Sequence, residues 1–65
     1  MQQSIQRFYR LHEVTTLVGL SRATIYRLIR QGAFPSGISL TGNRAVGWSE
    51  SDLAHWMNSR LNNAQ

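Results

Sequence analysis

The sequence predicts a mainly helical α+β domain: two short helices in tandem, a two-stranded hairpin and a closing helix. Three observations carry that expectation. The apolar segment Leu17-Val18 runs into Gly19, and Ser21 then opens a second helical pattern. Apolar residues alternate on both sides of Thr41-Gly42-Asn43. Ser49-Glu50-Ser51-Asp52 supplies a third helix start ahead of Leu53, Trp56, Met57 and Leu61.

Taken in order, residues 1–7 are polar and are expected as a disordered N-terminal tail. Residues 8–61 form the domain, and 62–65 are expected as a disordered C-terminal tail. Phe8, Tyr9 and Leu11 give an apolar lead-in. His12 to Val18 can form a short helix with Val14, Leu17 and Val18 on one face. Thr15 and Thr16 are mediocre helix residues, so tertiary packing has to hold it. Gly19 offers the positive backbone angle that ends a helix cheaply. Ser21 is a good N-cap for the next helix, which is expected to run to about Gln31 with Gly32 as its stop and Pro35 beyond.

Residues 36–48 read as a hairpin whose register follows from its loop. A two-residue loop sets Ile38 opposite Gly47 and Leu40 opposite Ala45, which sends Val46 and Trp48 to the other face. A three-residue loop pairs Leu40 with Arg44 and Ile38 with Val46 and restores one apolar face, with Asn43 in the left-handed position. The second arrangement is the one expected. In the last helix, Ser49 and Asp52 form a capping-box-like pair, and Glu50 and Asp52 suit the positive end of the helix dipole.

A chain of 65 residues makes one small domain, and such a domain buries only about 60% of the surface its unfolded form exposes. The chain has no cysteine, which excludes a disulfide, a thiolate zinc site and a cysteine nucleophile. No apolar run approaches the roughly 18 residues of a membrane span, and the start is not that of a signal peptide. A cytoplasmic protein without a membrane partner is therefore expected. Seven basic residues, all arginine, face Glu13, Glu50 and Asp52, giving a net charge of +4. Arginine presents a planar fork that matches phosphate or guanine bidentately.

The position of those arginines sharpens the reading. Projected at about 100° per residue, Ile25, Leu28 and Ile29 share one side of the second helix, while Arg22, Ala23, Tyr26, Arg27 and Arg30 share the other. A braced helix with an acid-free basic face, following a tight turn, is the grammar of a helix-turn-helix whose second helix enters the DNA major groove. Arg22 and Ala23 in its first turn are placed to reach base edges, guanine for Arg22 and a thymine methyl for Ala23. Tyr26 and Arg27 are placed for a base edge or a phosphate, and Arg30 for phosphate. The hairpin tip, Asn43 and Arg44, reads as a wing, and Arg10 and Arg7 as candidates for flanking phosphates. The competing view of these side chains is a solvated face whose arginine stems cover apolar surface.

Trp48 and Trp56 are assigned to the core, because a chain this small needs its largest apolar residues inside. His12-Glu13 has no second histidine at metal spacing, and no triad order is present, so neither a metal, a cofactor nor an enzyme activity is expected. An RNA-binding role lacks an RNP-like or GxxG motif. A protein-interaction module, gripping an acidic partner with the basic helix, stays open as an alternative of another class.

Several stretches together resemble the AlpA-type regulators encoded by prophages and other integrating elements. They are Tyr9-Arg10-Leu11-His12-Glu13-Val14, Gly19 through Leu28, Gly32-x-Phe34-Pro35, Leu40-x-Gly42-x-Arg44-Ala45-Val46-Gly47-Trp48 and Glu50-x-x-Leu53-x-x-Trp56. The resemblance covers residues 8–61 and implies a winged helix-turn-helix of the kind shared with phage excisionases and the DNA-binding domains of MerR-type regulators. It implies a sequence-specific binder of double-stranded DNA that controls transcription of the element. Ser21, Arg22, Ala23, Thr24, Tyr26 and Arg27 match the recognition helix, and Arg44 the wing. Some such proteins act instead as excisionases, bending DNA for recombination by an integrase. The implied partners are thus DNA, an integrase or RNA polymerase, and further copies of the chain side by side on DNA.

Overall fold

A computed structural model describes residues 5–42 and 44–63. In chain order the elements are β1 (Phe8–Tyr9), α1 (Leu11–Val18), α2 (Arg22–Arg30), β2 (Ile38–Ser39), β3 (Val46–Ser49) and α3 (Glu50–Asn63). The strands make an antiparallel sheet in the order β1-β3-β2. The class is therefore α+β and mainly helical, but the two-stranded hairpin expected from the sequence is part of a three-stranded sheet. The lead-in supplies the extra strand: Phe8 pairs with Ser49 and Tyr9 with Trp48. That pairing covers the edge of β3 that the hairpin leaves bare. It continues into α3, whose Glu50 N–H donates to the Arg7 carbonyl at 3.1 Å.

The helix ends follow local chemistry. The Arg10 N–H at the start of α1 donates to the Glu13 carboxylate at 2.9 Å. Gly19, at φ 73°, closes the helix, and its N–H donates to the Thr15 carbonyl at 2.9 Å. Ser21 caps α2 by accepting from the Thr24 N–H at 3.2 Å. At the other end the Gly32 N–H donates to Ile29 O at 3.0 Å and the Ala33 N–H to Leu28 O at 2.8 Å, the paired bonds of a Schellman motif. Ser49 caps α3 by accepting from the Asp52 N–H at 3.1 Å.

Val14, Ile25, Phe34, Trp48 and Leu53 form the buried core, with Leu11, Val18, Leu20, Leu28 and Trp56 packed against it. Both indoles are anchored: Trp48 Nε1 donates to Pro35 O at 2.7 Å and Trp56 Nε1 to Ala33 O at 2.8 Å. Phe34 and Trp56 meet edge to face at 4.7 Å. Two residues expected on apolar stripes lie outside. Leu17 is exposed, because the buried stripe of α1 runs through Leu11, Val14 and Val18 and leaves it about a quarter turn away. Leu61 is 72% exposed, because the core reaches only the first turns of α3.

The hairpin register also differs from the one expected. Ile38 pairs with Gly47 and Ser39 with Val46, and the Leu40 N–H donates to Ala45 O at 2.8 Å. This is the two-residue-loop register, with Gly42 left-handed at φ 76°; Asn43 lies outside the described residues. The hairpin sends Trp48 to the core, 3% exposed, while Ile38 on the other face is 47% exposed. Two glycines make this possible. A β-carbon at Gly37 would stand 2.4 Å from Val46 Cγ1 and 3.1 Å from the Trp48 ring, so only glycine leaves that ring its space. Gly47 in turn is covered by Leu40.

The expected tails fall only partly within the described residues. Gln6 Oε1 accepts from the Ser51 N–H and hydroxyl at 3.3 and 2.8 Å, and α3 continues over Asn62 and Asn63.

Candidate nucleic-acid interface

The side chains of α2 divide as its sequence requires. Ile25 is fully buried, Leu28 and Ile29 are half-buried, and Arg22, Ala23, Tyr26, Arg27 and Arg30 are exposed. Ser21 and Thr24 belong to the helix start. The Ser21 hydroxyl donates to Thr24 Oγ1 at 3.0 Å while its oxygen accepts the Thr24 N–H. These two side chains therefore fix the geometry of the first turn. The outer face of α2 carries no acid, and Gln31-Gly32 closes it beside Arg27 and Arg30 in the last turn.

A groove of about 650 Å³ runs along one side of this face. One wall is α2, through Arg22 and Tyr26; the other is the hairpin, through Arg44 and Val46; the start of α1 closes the end with Arg10 and His12. Gly37, Ile29 and Trp48 lie at its base. Arg10, Arg22, Tyr26 and Arg44, separate in sequence, are thereby brought to one place. Ala23, Arg27 and Arg30 lie beyond the groove on the open face of α2. Arg10 does more than line the wall, since its Nε donates to Val46 O at 2.9 Å and ties α1 to β3.

Among the described residues the only ion pair joins Arg7 to Glu13. Arg7 also stacks over the Tyr9 ring at 4.5 Å, so it braces β1 against α1 and is not aligned with the groove. Glu13 is held below the ordinary carboxylate pKa, first by the Arg10 N–H and also by the charge of Arg7. Neither Glu13, Glu50 nor Asp52 lines the groove, so its three guanidiniums face no carboxylate.

His12 also lines the groove, although it is not among the DNA-facing residues expected from the sequence. It stands in the first turn of α1 beside Arg10, yet nothing in that spacing says which way the turn faces. In the folded chain it stands at the rim of this groove, between Arg10 on one side and the shallower depression beside Glu13 and Thr16 on the other.

No helix among the described residues is long and apolar enough to cross a membrane. No solved structure matches the chain. It is 50% identical over 56 residues to the "Uncharacterized protein ORF88" of Enterobacteria phage P4. That match covers 86% of this chain but 62% of the phage protein, so the chain spans less than two thirds of its relative's length. The family model described as Prophage CP4-57 regulatory protein (AlpA) matches residues 7–61, from just before β1 to near the end of α3. On that match the chain belongs to the AlpA family of prophage regulatory proteins.

Proposed function

We propose that this chain is a sequence-specific binder of double-stranded DNA that regulates transcription of a prophage or other integrating element, acting as a winged helix-turn-helix. One observation carries the reading: the acid-free outer face of α2 continues across the groove onto Arg44 of the hairpin. A regulatory family and a helix joined to a capped, basic helix through a three-residue turn support it.

In this reading the first turn of α2 enters the major groove. Arg22 offers paired donors to guanine O6 and N7, and small Ala23 admits a thymine methyl. Tyr26 follows one turn later with a hydroxyl for a base edge or a phosphate. Arg27 and Arg30 neutralise phosphates and set the register of the helix on the duplex. The hairpin tip, Asn43 and Arg44, lies on the neighbouring backbone or minor groove. A single domain of this size makes a small interface, so specificity comes from several copies on repeated sites.

The test is selection from random duplexes, followed by affinity across a salt series. The expected result is an enriched, repeated site and a logarithmic salt slope of about −0.9 per phosphate contacted. Absence of binding at low salt, with capture of an acidic protein in its place, contradicts the proposal. Salt-sensitive binding without enrichment, accompanied by integrase-dependent excision, would replace it with an architectural role.

A further inference from the structure

We propose that the groove between α2 and the hairpin seats one sugar-phosphate strand of the bound duplex, and that His12 is a phosphate ligand in it. This rests on the DNA reading above and assigns the path of a single strand within that complex.

The inference starts from what lies on each side. If α2 occupies a major groove and the hairpin tip the adjacent minor groove, the strand that separates those two grooves has to pass between them. The space between them is the 650 Å³ groove. Its lining fits a phosphodiester chain. Arg22 and Arg44 stand on opposite walls, and Arg10 and His12 close the end from α1. Arg10 is pinned by its Nε bond of 2.9 Å to Val46 O, which fixes the guanidinium against the wall before DNA arrives. Pre-ordering of this kind lowers the entropy lost on binding.

His12 is exposed and contributes an imidazole N–H, a donor in either protonation state. The chemistry of the base matters too. Gly37 and Val46 line the base, and the Val46 carbonyl there is taken up by the Arg10 Nε–H. The nearest acid, Glu13, is withdrawn from the groove by Arg7 and by the Arg10 N–H. Among the lining residues none carries a carboxylate.

The experiment is a two-way cycle between His12→Ala, which removes the donor, and a duplex carrying one methylphosphonate. The duplex is the selected site, with the neutral linkage moved step by step along the strand between the two footprints. On unmodified DNA, His12→Ala is expected to weaken binding about threefold to fivefold, the worth of one exposed charge-assisted contact. At one linkage the methylphosphonate should produce a similar loss, and His12→Ala should then add nothing further. Multiplying losses at every linkage, or an unchanged affinity of His12→Ala on natural DNA, overturns the assignment while leaving α2 as the DNA reader. Failure of the unsubstituted protein to bind any duplex overturns both. His12 is exposed and outside the core, so far-ultraviolet circular dichroism of His12→Ala should match the parent and exclude unfolding as the cause.

Discussion

A β-carbon at Gly37 has nowhere to go: Val46 Cγ1 would be 2.4 Å away and the Trp48 ring 3.1 Å. Trp48 cannot yield, since it is buried and its Nε1 is bonded to Pro35 O. Gly37→Ala should therefore cost about 1–3 kcal/mol in chemical unfolding, the range for overpacked sites. Gly47→Ala should cost less, because the nearest atom there is the tip of the flexible Leu40 side chain. Equal losses at both positions would contradict this packing. Glu13 makes a second test at the same scale. Its lowered pKa means that it stabilises the fold above the unfolded carboxylate value and ceases to do so as pH falls through the folded one. The thermal midpoint should drop as pH falls below about 4.3, and Glu13→Gln should flatten part of that drop. An identical acid profile for the variant would remove Glu13 from the account.

At the scale of elements, the caps were legible in the sequence and the sheet was not, for a physical reason. Ser21, Gly32 and Ser49 act on groups within a few residues of themselves, so their chemistry can be read along the chain. The pairing of Phe8 with Ser49 joins distant segments, and two residues are too few to show alternation. The hairpin register differs from the expected one because the fold does not need one continuous apolar face there. The core asks the hairpin chiefly for Trp48, and Gly37 and Gly47 adjust the space around it. The cap of α2 gives a prediction that separates folding from binding. Ser21→Ala should lower stability by about 1 kcal/mol, whereas Ser21→Asp should retain the cap and place a negative charge beside Arg22. Unfolding and duplex affinity measured on both variants should then move independently; parallel changes would tie Ser21 to the fold alone.

For the whole molecule, the same logic separates what one dimension carries from what three dimensions assemble. The basic face of α2 was visible because helical periodicity repeats within its own length. The groove was not visible, because Arg10, His12, Arg22 and Arg44 meet only once α1, α2 and the hairpin share a core. Arg7, grouped with them by charge, is instead paired with Glu13 and stacked on Tyr9. Packing of ordinary apolar residues thus brings three of the seven arginines to one groove, while Arg7 and Arg60 lie elsewhere. That arrangement assigns different work to different arginines. In the proposed complex Arg22 reads one base position, while Arg44 neutralises backbone common to all sequences.

The most direct measurement compares Arg22→Ala and Arg44→Ala for affinity to the selected duplex and to each of its single-base variants. If α2 reads the major groove, Arg22→Ala loses about 1–3 kcal/mol on the best site and becomes indifferent to the base at one position. Arg44→Ala should weaken all these duplexes evenly and reduce the salt slope by about 1. A uniform loss from Arg22→Ala across every base variant would contradict sequence reading by α2.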